Sequence, residues 1–127
     1  MENKETAGKI INNLKTKYRG LNQVYDLTRE IEKALENGDE GSLDIVLDMR
    51  QKQLELCMDM DRQNEDLVGR LTEAEKIRVN TLLRTQGKDP KPDGEDEEEI
   101  YAMTKRIKNL LIKTVDYDKK VNSRLNK

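Results

Sequence analysis

Apolar residues fall along this chain in four helical stripes separated by turn-forming residues. Over about 6–36, Ile10, Ile11, Leu14, Tyr18, Leu21, Val24, Tyr25, Leu27, Ile31, Ala34 and Leu35 recur at steps of three and four. That spacing predicts one helix of roughly thirty residues, apolar on one side. Gly8 and Gly20 loosen it locally. The pattern stops at Asn37-Gly38, where glycine takes the left-handed conformation that closes a helix. Asp39 and Ser42 then offer side-chain oxygens to cap a second helix over about 42–70. Leu43, Val46, Leu47, Leu54, Cys57, Met58, Leu67, Val68 and Leu71 mark its buried face.

Two polar residues, Arg50 and Asp61, interrupt that second stripe. Arg50 has two readings. It lies at the rim with its aliphatic stem as cover, or it pairs with a carboxylate inside; the rim is favoured, because burying paired charge is costly. Thr72, with Glu75 three residues on, forms a capping box, which predicts a short third helix over about 73–86 with Ala74, Ile77, Leu82 and Leu83 as its apolar side. The alternative is one bent helix continuing through Gly69, at a cost of about 1 kcal/mol for the glycine.

The stretch GKDPKPDG at 87–94 contains both prolines of the chain and reads as an exposed linker. A last helix over about 95–125 starts with the acids Glu95–Glu99 and ends among Lys119, Lys120, Arg124 and Lys127. Both clusters suit the helix dipole. Ile100, Met103, Ile107, Leu110, Leu111, Val115, Tyr117, Val121 and Leu125 form its stripe. With a pliant linker before it, this helix is able to detach from the body as a unit. The expected fold is all-α: an antiparallel helical bundle of three long helices plus one short one, closing on one core within a single domain, 1–127.

Composition narrows the function. Apolar residues make up 34% and charged residues 39%, with no Trp or Phe, a balance that favours long helices over strands. Net charge is −2 with both signs interspersed, so no basic footprint for nucleic acid is present. The lone cysteine, Cys57, forms no intrachain disulfide and fits a reducing compartment. No apolar run resembles a signal peptide or reaches membrane-spanning length, so a cytoplasmic protein without membrane contact is expected.

Candidate chemistry is sparse. The chain has no histidine, which removes His-assisted nucleophiles, His bases and His-containing metal sites. Cys57 sits on an apolar stripe and reads as a small buried hydrophobe. The segment Asp59–Asp66 fails as a calcium loop, because Asn64 occupies the required glycine position and Arg70 the required glutamate. No catalytic residue, cofactor or metal is expected, and no enzyme. Met49, Met58, Met60 and Met103 offer an adaptable binding surface, with core filling the better reading for Met58 and Met103. The acidic run Asp93–Glu99 reads as dipole complement and solubility rather than as a dock for a basic partner.

From Tyr18 to Leu83 the chain resembles the flagellar type III export chaperones. The likeness is carried by the leucine-spaced first helix, Asn37-Gly38-Asp39, then Leu43, Leu47, Arg50, Gln51 and Leu54, and the step Leu71-Thr72-Glu73. The Arg50-Gln51 pair points to the filament-cap chaperone type, with the hook-junction type second. The resemblance implies a small, mostly four-helix, cytoplasmic protein that is not an enzyme. Such a chaperone holds a helical segment of a flagellar subunit (the filament-cap or hook-junction protein) until the export apparatus accepts it. It also implies a last helix that covers the client groove and swings away. The client-binding residues expected on that basis are Leu47, Leu54, Met58, Leu82 and Leu83 of the groove, with Ile100, Met103, Ile107, Leu110 and Leu111 of the covering helix. The polar, proline-containing linker and the weakly defined third helix depart from the family pattern. A monomer or weak homodimer is expected. The competing expectation is a self-associating coiled-coil scaffold or adaptor with no client, in which the stripes serve only a tight homo-oligomer.

Overall fold

Each helix starts and stops where a side chain or glycine can satisfy its unpaired backbone groups. The computed structural model describes residues 3–84 and 90–125 and holds four helices: α1 (Lys4–Asn37), α2 (Glu40–Gly69), α3 (Glu73–Arg84) and α4 (Glu95–Leu125). Asn3 caps α1, its side chain accepting the Thr6 amide at 3.2 Å. At the other end Gly38 takes φ +65°. Its amide reaches the Leu35 carbonyl at 3.3 Å while that of Asp39 reaches Ala34 at 2.9 Å, a Schellman closure. Asp39 then caps α2: Oδ1 accepts the Ser42 amide at 3.1 Å and Oδ2 the Ser42 hydroxyl at 2.6 Å. The cap is therefore Asp39, and α2 begins two residues earlier than its stripe suggests.

Between α2 and α3 the helix breaks; it does not bend through. The Thr72 hydroxyl accepts the Glu75 amide at 3.2 Å, and Glu75 Oε1 accepts the Thr72 amide at 3.2 Å, the reciprocal pattern of a capping box. Residues 85–89, which include the first three residues of the expected linker and the last two residues expected of α3, lie outside the described residues, as does the side chain of Leu125.

Ion pairs and hydrogen bonds fix the helix directions. Asn13 with Asn64, Lys17 with Asp61 and Thr28 with Arg50 run α2 antiparallel to α1. Lys15 with Glu99 at 2.9 Å and Arg124 with Glu32 at 2.9 Å run α4 parallel to α1. α1 packs on α2 and α4, and α3 packs on the same two helices; among the described residues no Cα of α2 lies within 8 Å of one in α4, nor one of α1 near α3. The helices thus take the corners of a square in the order α1, α2, α3, α4, an all-α bundle. Its core joins Ile10, Leu14 and Leu21 to Cys57, Val68, Val79, Leu82, Ile100, Met103 and Ile107.

Two apolar faces turn differently from the expected stripes. α3 buries Val79 and Leu82 and leaves Ile77 68% exposed. Its capping-box start fixes the rotation, which brings Glu75, Val79 and Leu82 inward at helical spacing. On α2, Met60 is buried and Met58 is 60% exposed, because the inward line runs Cys57, Met60, Asn64, Leu67. Met58 therefore does not fill the core. Gly20 is buried at the α1–α2 crossing, where a Cβ would stand 3.0 Å from the Cys57 sulfur, so here glycine permits close helix approach.

Candidate functional cleft

The three long helices hold 30 to 34 residues, but α3 holds 12. At about 1.5 Å per residue it fills about 18 Å of a corner that the others flank for about 45 Å. Past Arg84 no described residue fills the space between α2 and α4, which continues as a cleft. Its portion next to α3 has a volume of about 540 Å³ and is lined by Leu14 and Lys17 of α1, Asp61, Asn64, Glu65 and Val68 of α2, Asn80, Leu83 and Arg84 of α3, and Thr104, Ile107, Lys108 and Leu111 of α4.

Farther along the cleft, beyond the residues that line this portion, stands a charged clasp. Arg50 donates to Asp118 Oδ1 at 2.6 Å and to the Thr28 hydroxyl at 3.4 Å, with the arginine side chain only 18% exposed. Arg50 is therefore not a rim residue. Its guanidinium ties α2 to α4 across the corner, and Thr28, wholly buried, completes the site by donating its own hydroxyl to the Val24 carbonyl at 2.8 Å. Because α2 and α4 run in opposite directions, this pair sets their register: Leu54 is level with Thr114, one residue from Val115, and Met58 with Leu110, one residue from Leu111. Leu111 is 44% exposed and Val115 43%. On the α2 side no residue from Glu40 to Leu56 is buried; Leu43, Val46, Leu47 and Leu54 are all half-exposed.

The expected client-binding residues divide accordingly. Leu83, Ile107 and Leu111 line the cleft directly, and helical spacing from Arg50 and Asp61 puts Leu47, Leu54 and Met58 on its α2 wall. Leu82, Ile100, Met103 and Leu110 are buried in the core. They hold α3 and α4 in place, so α4 is a wall of the bundle along its length. Sequence reasoning missed Leu14, Glu65, Lys108 and Val115 as cleft residues. For Asp61 the signal was present, since it interrupts the apolar stripe; it pairs with Lys17 at 2.8 Å across the floor.

Polar groups elsewhere are matched to structural tasks. Asn13 donates to buried Asn64 at 3.0 Å. Glu97, 3% exposed, accepts from Arg78 at 2.7 and 3.1 Å and from the Asp93 amide at 3.2 Å, locking α3 to the start of α4. Burial works to raise its pKa, but the Arg78 guanidinium and the amide outweigh that and hold the carboxyl below its ordinary value. One member of the acidic run is thus a packing element as well as a complement to the dipole. Burial pushes the Cys57 thiol up, with Lys17 opposing, and Sγ donates to the Lys17 carbonyl at 3.6 Å, so the thiol is not poised for attack.

Among the described residues no three His, Cys, Asp or Glu side chains gather as a metal site would need, and no helix is long and apolar enough to cross a membrane. A second, smaller hollow of about 350 Å³ between α1 and α2 is lined by Lys9, Asn12, Asn13, Gln63, Asp66, Leu67 and Arg70 and is mostly polar in its side chains. Compared with known proteins, the chain matches no protein-family model, and neither a curated protein nor a solved structure matches it.

Proposed function

We propose that this protein is a cytoplasmic flagellar export chaperone of the filament-cap type, a binding protein and not an enzyme. It takes a helical segment of a flagellar structural subunit, the filament-cap protein first and the hook-junction protein second, and keeps it soluble for the export apparatus. One observation carries the reading: a four-helix bundle whose fourth corner is filled by 12 described residues, leaving Leu47 and Leu54 half-buried and Leu111 and Val115 exposed along the remainder. An amphipathic client helix would complete that corner, exchanging water-exposed apolar surface for a helix–helix contact. The resemblance from Tyr18 to Leu83 supplies the flagellar context.

The direct test is purification of the protein with each candidate subunit. A one-to-one complex with the filament-cap subunit, lost in Leu54→Asp/Leu111→Asp, is the expected result. Failure of both subunits to bind would end the flagellar reading. A second reading, a self-associating scaffold, draws support from a separate outward stripe of Ile45, Met49 and Leu56 on α2. Light scattering in dilute solution separates the two, since the scaffold requires a tight oligomer that Ile45→Asp dissolves.

A further inference from the structure

We infer that the corner left unfilled by the described residues takes an amphipathic helix of about three turns from a partner protein, which at its end beside α3 is acidic where it faces α3 and α4 and basic where it faces α2. This rests on the client-binding reading and names what the client presents. The length follows from the limits of the cleft. Lys108, at the level of the α3 terminus, and Asp118, in the clasp, are about 15 Å apart along α4, the span of ten or eleven helical residues. The apolar stripe of the occupant would meet Leu54 and Val115, then Met58 and Leu111, pairs that the antiparallel register sets within one residue of level.

The charge pattern follows from three side chains. Glu65 on the α2 wall, Lys108 on the α4 wall and Arg84 at the end of α3 all line the cleft, and none has an ion-pair partner among the described residues. All three stand at the α3 end: the two cations on its α3 and α4 sides, where acidic residues of the occupant would answer them, and Glu65 on its α2 side, where a basic residue would. By contrast Asp61 is already answered by Lys17, and Asp118 by Arg50. A second copy of the chain is a poor occupant. Acids precede an apolar stripe at Glu95–Ile107, whose Ile100, Met103 and Ile107 are already buried in the core, at Glu73–Leu82, whose Val79 and Leu82 are buried as well, and at Glu40–Leu47, which belongs to the α2 wall itself.

The test uses the full chain and two stapled, fluorescein-labelled peptides of about fourteen residues, enough for the three turns and their ends. One carries leucines at helical spacing and, at one end, acids on one flank and a lysine on the other; its twin has every charge exchanged. The first peptide is expected to bind about tenfold tighter than its twin at low salt. Leu111→Asp and, separately, Val115→Asp should each weaken it at least about tenfold. In Glu65→Lys/Lys108→Glu the preference should invert, while Ile45→Asp should leave both affinities unchanged. Equal binding of the twins, or binding that Ile45→Asp abolishes, overturns the inference. So does a dimer, seen by light scattering, that Leu111→Asp dissolves. If the filament-cap subunit binds and neither peptide does, the inference fails and the chaperone reading survives. Peptides that behave as expected beside flagellar subunits that do not bind would sustain the inference and remove the flagellar client.

Discussion

The bundle has a four-helix end and a three-helix end, built from the same long helices and packed to different degrees. Around α3, Val79, Leu82 and Ile100 are almost completely enclosed, and every helix contributes to the core. Around the clasp, α1 still buries Val24, Thr28, Ile31 and Ala34, and α4 buries Thr114 and Val121, yet α2 buries nothing from Glu40 to Leu56. The difference is the cover that one 12-residue helix supplies. A helix face half-covered by its neighbours carries weaker local stability, and function that needs an opening or a docking surface draws on such regions. The partition also explains why the clasp is polar. With no fourth helix, α2 and α4 are held across the gap by a long arginine rather than by packed leucines.

The largest expected effect comes from removing core volume at each end. Ile100→Ala, in the closed end, should destabilise the protein by about 3–5 kcal/mol in urea unfolding, because close-packed neighbours cannot collapse into the cavity. Ile31→Ala, equally buried but beside the open corner, should cost less, about 2–3 kcal/mol, because its surroundings can relax. Equal losses would mean that the two ends are packed alike.

Next in size is the Glu97 lock. Its pKa is held below the ordinary carboxyl value in the folded protein, so its contribution is present above the unfolded carboxyl pKa and is lost as pH falls through the folded one. Glu97→Gln keeps the shape and removes the charge, and should cost about 1–3 kcal/mol at pH 7. The gap in melting temperature between wild type and variant should close as pH is lowered through the carboxyl range. Backbone amide exchange should quicken in α3 and the first turns of α4, and stay unchanged in α2 near Arg50. A gap that stays constant with pH would show that the carboxylate is not the stabilising form.

How much of this was legible beforehand differs by feature. The caps were readable, because Gly38, Asp39 and the Thr72–Glu75 pair act over three or four residues of local sequence. Helix rotation was not. Met58 and Met60, or Ile77 and Val79, are alternatives two residues apart, and which one is buried depends on where the neighbouring helices stand. Arg50 was misread, and the packing role of Glu97 missed, for the same reason: their partners, Asp118 and Arg78, lie 68 and 19 residues away. The half-empty corner was visible only as a length mismatch between one short helix and three long ones. Nothing in the stripes revealed that α3 and α4 share a direction, which puts α3 beside one half of α4 and leaves the cleft along the other.

The clasp itself should contribute modestly. Arg50→Ala leaves Asp118 about one-third exposed, able to recruit water, so the expected cost is about 1 kcal/mol. Arg50→Met, which keeps the stem and drops the charge, should be nearly neutral in global stability, since apolar replacement of a half-buried pair often is. Faster amide exchange confined to the first half of α2 would identify the clasp as a local fastening of the open end; uniform acceleration would instead make it part of the common core.

The smallest expected effect is also the sharpest test of the contrast. Leu111 points into the open corner and is 44% exposed, so Leu111→Asp should change unfolding free energy by no more than about 0.5 kcal/mol. Leu110 is one residue away and buried, and Leu110→Asp should lose several kcal/mol, because the carboxylate enters the core without a partner. Adjacent leucines of one helix would then differ several-fold in their cost, for no reason visible in residue type or helix propensity. If Leu111→Asp proves as damaging as its neighbour, the corner closes over in solution and cannot receive a helix. If it is neutral, the exposed apolar wall is not needed for folding and stays free to receive a helix.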